Sequence, residues 1–303
     1  MPEPIFIKTP EHFSFRATVY SHGWCELLPF KLDVDNWRLS YVFRDTAGKK
    51  ATPAVISEAK GGIVIEAANK NVPAEQIERE TRHLLRLDDD LAGFYGAVAG
   101  HGGLEWVTER KAGRLLRSAT VFEDLVKTIC TTNCSWALTK IMTDNLVQKL
   151  GVLSEPPASA GGDVAGTRRA FPTAAAMAEQ PQEFYREEIK AGYRSPYFVE
   201  LAEAVASGKL DPESWLHSDL PTPELKKEMK QVKGVGDYAA ENLLKLVGRY
   251  DGLALDSWLR SQFYKKHNAE KTCNDKKIER HYKKFGPWRG LVIWCDMTEK
   301  WIT

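Results

Sequence analysis

The sequence predicts a mostly α protein: a small α+β N-terminal domain with an antiparallel sheet, then a larger all-helical domain. Three observations predict it. Apolar residues alternate with a two-residue period near the start, they take helical spacing after Pro73, and no repeat of fixed period runs through the chain. The expected division is residues 1–80 for the sheet domain and 81–303 for the helical one. At 303 residues, 43% hydrophobic and 27% charged, the chain is long enough for that arrangement.

Phe13, Phe15, Ala17 and Val19 alternate with Ser14, Arg16, Thr18 and Tyr20, which predicts a half-buried strand. Trp37-Arg-Leu-Ser-Tyr-Val-Phe and Gly62-Ile-Val-Ile-Glu-Ala predict further strands, with Arg44-Asp-Thr-Ala-Gly-Lys-Lys as a turn. From Ala74 to Leu87 apolar residues recur at helical spacing among charged ones. Phe122, Leu125, Val126 and Ile129 share the face of another helix, and Trp136 to Leu150 predicts a third, stopped by Gly151. Thr173 is placed to cap a helix starting near Pro172. Residues 154–168 are small and nearly uncharged, the composition of a mobile surface loop.

No apolar run approaches the roughly 20 residues that span a bilayer, so no membrane partner is expected. The first residues lack the basic start and apolar stretch of a signal peptide, which places the protein in the cytoplasm or, in a nucleated cell, the nucleus. Cys25, Cys130, Cys134, Cys273 and Cys295 are scattered and read as free thiols. They do not form the closely spaced sets that bind zinc or an iron–sulfur cluster, and neither metal nor cofactor is expected. The net charge of +1 hides an asymmetry: residues 225–303 hold 17 Lys/Arg against 10 Asp/Glu, the rest 25 against 31. A basic C-terminal quarter fits a polyanion-facing surface, and fits a solvated lysine-rich helix face equally well.

The segment 225–247 carries the most specific pattern. Leu225 to Val232 reads as one helix, Gly234-Val235-Gly236 as a tight turn, and Ala239, Leu243, Leu244 and Leu246 as the stripe of a second. Glycine tolerates positive φ, and without Cβ atoms the N–H groups opening the second helix can approach a phosphate. Lys230 and Lys233 add positive charge beside the turn. This is a helix-hairpin-helix suited to gripping a DNA backbone without reading its sequence, although a purely structural hairpin has the same glycines. Twenty residues after Gly236, Asp256 opens another apolar-periodic stretch, Leu255, Trp258, Leu259 and Phe263. An aspartate there is an N-cap; the cap bond and helix dipole also keep a carboxylate ionised and fixed for chemistry.

VKGVGDYAAENLLKL followed by LALDSW resembles the signature of the helix-hairpin-helix DNA glycosylase superfamily. FEDLVKTICTTNCSW, FPTAAAMAE, AGYRSPYFVELAEAVASG and FGPWRGLVIW resemble its other helices, so the similarity runs from about residue 75 to the C-terminus. The relatives that look most similar are bacterial alkylated-base (3-methyladenine) glycosylases and eukaryotic 8-oxoguanine glycosylases. The resemblance implies a base excision repair enzyme, a monomer on double-stranded DNA containing damaged bases. It makes Asp256 the essential carboxylate, facing an oxocarbenium-like transition state on a nucleotide flipped from the duplex. Lys233, Gly234, Val235 and Gly236 would hold the backbone. Asn133 would fill the gap left by the extruded base, and Arg194 would contact the orphaned partner. Bifunctional relatives carry a Schiff-base lysine two residues after the second hairpin glycine. Tyr238 stands there, which implies hydrolysis without lyase activity. Tyr238, Asn242, Trp258, Trp294 and Met297 would line the base pocket, with His22 and Trp24 reaching it from the sheet domain. Ile293 replaces the glutamine by which 8-oxoguanine enzymes read the base edge. An aromatic wall with one amide favours alkylated purines by stacking, with 8-oxoguanine second. The reading from another class is a non-catalytic DNA-binding protein that uses the hairpin alone.

Overall fold

A computed structural model describes residues 2–154 and 168–302; the loop expected at 154–168 lies, apart from its two ends, outside the described residues. Five strands form one antiparallel sheet in the order β1-β5-β4-β3-β2: β1 (Ile5–Lys8), β2 (Lys31–Asp33), β3 (Arg38–Arg44), β4 (Ala51–Ala59) and β5 (Gly62–Ala67). The turn into β4 is closed by the Asp45 carboxylate, which accepts from the Lys49 and Lys50 N–H groups at 2.7 and 2.9 Å. In the central hairpin Leu39 faces Ile56, which faces Ile65, all fully buried, so one side of the sheet supplies the core.

The strand expected over residues 13–20 is instead a short helix, Phe15–Val19. Ser14 caps it, its hydroxyl accepting from Ala17 N–H at 3.2 Å. Phe15, Ala17, Thr18 and Val19 are all buried, so this turn is packed on nearly every side. Alternation of side-chain polarity then carries no information about the backbone period. The expected strands at 37–43 and 62–67 are present as β3 and β5, whereas β4, with Pro53 opposite Val42, escaped the pattern.

Beyond β5 the regular elements among the described residues are helices. The expected helices appear as Ala74–Leu84, Val121–Thr131 and Trp136–Leu150. Thr120, Ser135 and Thr173 cap helices through their hydroxyls, each accepting an N–H three residues on. Among the described residues two large hydrophobic cores result, beside a small cluster of Val42, Ala51 and Ala170. One takes buried residues from Ile7 to Leu116 and again from Leu246 to Met297, so the sheet shares a core with the C-terminal helices. The other runs from Val121 to Val247. Among the described residues no helix is long and apolar enough to cross a membrane.

The C-terminal helix Arg289–Ile302 docks through Gly290, whose N–H donates to the Tyr250 carbonyl at 2.6 Å. A Cβ at this glycine would overlap the Gly252 carbonyl oxygen, which belongs to backbone and cannot rotate away. Gly290→Ala is expected to push this helix off the segment leading to Asp256 and to cost about 1–3 kcal/mol, as overpacking does. Urea unfolding checks it: an unchanged midpoint would mean the approach is looser than described.

Candidate active site

The hairpin is built as its glycines require. Thr222–Met229 and Asp237–Leu246 are its helices, and Gly234 takes φ +89°, where a Cβ would also lie 2.9 Å from the Tyr197 ring. Val235 is buried between the glycines. Gly236 occupies the N-cap with no side-chain cap bond and open space around it. Lys230 pairs with Asp237 at 3.0 Å and Lys233 with Glu200 at 2.6 Å, both exposed pairs that hold their ammonium groups only weakly.

One face of the second hairpin helix presents Tyr238, Asn242, Lys245 and Leu246, spaced by four, three and one residues, to a cavity of about 890 Å³. The cavity lies where the two cores meet, which is why its walls come from distant parts of the chain. His22 and Trp24 arrive from the N-terminal segment; Trp136 comes from its own helix, Trp258 from Ser257–His267, and Trp294 and Trp301 from Arg289–Ile302. The last three form a mutually packed triangle with ring centroids 5.2–6.1 Å apart. Gly23 admits the Trp136 ring, which a Cβ would overlap, and Trp136 Nε1 donates to Glu26 at 3.1 Å.

Asp256 stands at the cavity edge, half-buried, as the N-cap of Ser257–His267. Its Oδ1 accepts from Leu259 N–H at 2.7 Å, and Oδ2 has no hydrogen-bond partner among the described residues. The approach to it is held from the hairpin. Ala254, two residues before, sits at φ +53°, a strained position for a side chain, and its N–H donates to the Glu241 carboxylate. Glu241 in turn pairs with Lys226 of the first hairpin helix at 2.6 Å. Burial, and then the nearby Asp256 charge, pushes the Tyr238 hydroxyl up to about 12, so it stays a neutral phenol.

Of the residues expected from the sequence, Asp256, Tyr238, Asn242, Trp258 and Trp294 meet in this cavity, as do His22 and Trp24. Met297 is buried in the core and is not among the lining residues. Asn133 is exposed at φ +47° on the loop between the Val121–Thr131 and Trp136–Leu150 helices. Arg194 is 3% exposed; its guanidinium donates to the Thr132 carbonyl and lies 4.5 Å from the Tyr193 ring. It supports the Asn133 loop from beneath. Sequence reading missed Lys245, Glu241, Trp136 and Trp301. For Lys245 the signal was present: it falls seven residues after Tyr238, on the same helical face.

Lys245 is 2% exposed, donates to the Leu253 carbonyl at 3.1 Å and has its Nζ 5.8 Å from the Trp294 ring centre. Burial pulls its ammonium down to about 8, against the raising effect of Glu241 and Asp256. The five cysteines are free thiols. Among the described residues one cluster, His267, His281 and Asp296, has ligand atoms within 4.8 Å of one another. It lies outside the cavity, and Asp296 already bonds Tyr282 at 2.6 Å and Lys266 at 2.9 Å.

Solved structures with this architecture span the whole chain. Its structural neighbours are helix-hairpin-helix DNA glycosylases. The 3-methyladenine DNA-glycosylase of Archaeoglobus fulgidus superposes with a TM-score of 0.75 at 18% identity, covering 99% of this chain and 98% of that one. MBOgg1, solved with a low-affinity DNA ligand, also gives 0.75 at 18% identity, over 99% and 97%. The 8-oxoguanine glycosylase/lyase of Clostridium acetobutylicum gives 0.73 at 19% identity, over 98% and 96%. At this identity the likeness establishes the glycosylase fold and nothing finer. No family model and no curated protein matches the sequence.

His22 roofs this cavity, its Nε2 2.7 Å from the Leu116 carbonyl and its ring edge-on to Trp24. Burial lowers it to about 4 from an unfolded value near 6.5. A depressed folded pKa means its contribution is complete above pH 6.5 and is lost as pH falls towards 4. His22 is expected to contribute about 2–3 kcal/mol of stability lost across that window, so His22→Gln should show a shallower decline than wild type. Denaturant midpoints between pH 7.5 and 4 measure both; identical slopes would remove His22 as the cause.

Proposed function

We propose that this chain is a monofunctional DNA glycosylase that hydrolyses the N-glycosidic bond of a damaged purine flipped out of duplex DNA. The observation that carries the reading is the placement of Asp256: a helix-capping carboxylate with one uncommitted oxygen, at the edge of an aromatic-walled cavity, beside a hairpin with a bare helix N-terminus. The hairpin would hold the backbone through its free N–H groups. Asn133, exposed on its loop, would enter the helix in place of the extruded nucleotide, with Arg194 keeping that loop in shape. As the glycosidic bond breaks, positive charge grows on the deoxyribose, and a fixed anion stabilises it while orienting the attacking water. Indole faces give the base a stacking surface.

Hydrolysis without lyase chemistry is supported by Tyr238, a neutral phenol where bifunctional enzymes place an amine. For the substrate, the tryptophan walls favour a cationic alkylated purine such as 3-methyladenine, while Lys245 in the same cavity favours a purine rich in carbonyl oxygens, 8-oxoguanine among them. A DNA-binding protein without catalysis would need the hairpin but have no use for Asp256 in a cavity.

Asp256→Asn keeps a competent N-cap, so the fold should survive. It is expected to lower base release by about 10²–10⁴-fold, the range for a positioned catalytic group, with duplex binding unchanged. Single-turnover assays on lesion-bearing duplexes check this, and wild-type turnover in the variant would sink the assignment. Wild-type enzyme should also leave the abasic product uncut, with no protein–DNA adduct after borohydride reduction; efficient trapping would identify an amine nucleophile instead.

A further inference from the structure

We propose that Lys245 is the specificity-determining residue of this cavity: its ammonium donates hydrogen bonds to a carbonyl oxygen of the extruded base, selecting oxidised or deaminated purines over positively charged N-methylated ones. The proposal rests on the glycosylase reading and deepens it.

Three observations carry it. The first is position, since Lys245 follows Tyr238 and Asn242 on the helical face that lines the cavity. The second is an incomplete set of partners. A lysine ammonium has three N–H donors, and among the described residues only the Leu253 carbonyl accepts from this one. The third is an incomplete charge balance. Among the described residues no carboxylate lies within ion-pair distance of its Nζ: the nearby acids act on it only from further away, and each has a nearer partner. Glu241 is held by Lys226 and the Ala254 N–H, and Asp256 Oδ1 by the Leu259 N–H. A buried cation without a direct counter-charge is costly, and the open side of this one is the cavity. The ligand that relieves the cost presents oxygen acceptors, and one that brings its own positive charge aggravates it.

The same contact serves the reaction. When the glycosidic bond breaks, its electron pair leaves with the base, and a donor on the base carbonyl stabilises the resulting negative charge. A base that is already cationic gains nothing from such a donor. Intact guanine shares a carbonyl with these lesions, so its rejection falls to its firmer pairing and stacking in the duplex.

The test compares full-length wild type, Lys245→Met, Lys245→Gln and Lys245→Arg on duplexes carrying 8-oxoguanine, hypoxanthine or xanthine, and on dimethyl sulfate-treated DNA. The expected wild-type result is release of at least one carbonyl-bearing lesion at least tenfold faster than methylated purines. In Lys245→Met and Lys245→Gln that ratio should fall at least tenfold, and Lys245→Arg, which keeps a charged donor, should restore part of it. The three oxidised or deaminated arms identify which carbonyl is read, and the wild-type comparison holds even where a variant fails to fold. Preference of the wild type for methylated purines overturns the proposal, as does an equal slowing of every substrate in Lys245→Met, which marks a structural lysine. A borohydride adduct lost in Lys245→Met also overturns it, because the amine would then be a nucleophile. Release of no base from any duplex overturns the glycosylase reading itself, a result separate from all of these.

Discussion

The hairpin helix Asp237–Leu246 is the beam on which the site depends, and what holds it is a cluster of buried arginines at its C-terminal end. The last carbonyls of a helix lack internal partners, and here they are met by guanidinium groups. Arg86 Nη1 donates to the Lys245 carbonyl at 2.9 Å, and Arg117 Nε donates to that of Leu246. Both arginines come from the segment that follows the sheet, and Asp89 sits between them to balance their charge. Burial, then the charge of Arg86, lowers Arg117 to about 10, so the cluster remains fully cationic at neutral pH. Cations there also complement the negative end of the helix dipole. The consequence reaches both ends of the helix. One end turns through the glycines; the other is fixed by Arg86 and Arg117 to the segment that follows the sheet, which sets the face between them against His22 and Trp24.

The proposed catalytic carboxylate, Asp256, is located by the same helix. Glu241 projects from it to take the Ala254 N–H, which holds a left-handed alanine two residues before Asp256. A non-glycine residue there is strained, and the buttress makes the strained turn the stable one. Gly252 and Gly290 let the adjoining chains approach closely enough for this, since a Cβ at Gly252 would come 2.9 Å from the Glu241 side chain. Asp256 therefore inherits its position from Glu241, and its direction from the cap bond to Leu259.

Much of this was legible in the sequence, and the illegible part has a common cause. The hairpin, the N-cap aspartate and the long helices each depend on residues close together along the chain. Gly234 needs positive φ, Thr120 and Ser135 cap their own helices, and Gly151 ends the one before it. The segment 13–20 misled because it is buried on most sides, so its apolar residues marked burial and not a strand. Strand β4 escaped because Pro53 and three alanines weaken its signature, and it is held by its pairing with β3 and β5. In the site, Tyr238 and Asn242 were found through neighbours in sequence. Trp136 and Trp301 reach the cavity only because the sheet and the C-terminal helices share a core, which no local pattern records. Arg194 matched a pattern in sequence that suggested contact with DNA, and its guanidinium turns inward to Thr132.

Lys245 differs from these cases, because its spacing from Tyr238 was visible while its apolar surroundings were not. A lysine seven residues on from Tyr238, near a helix C-terminus, is ordinarily a solvated cation favoured by the dipole. Here the Leu253 backbone and the Trp294 ring enclose it, converting a surface charge into a buried one. The cavity then holds two opposite charges in different settings: Asp256 half-buried at its edge, and Lys245 enclosed within. Cleavage of a glycosidic bond separates charge in that same sense, positive on the sugar and negative on the departing base. On the proposed reading the two residues match the two halves of that separation, and neither could take the other's place without opposing it.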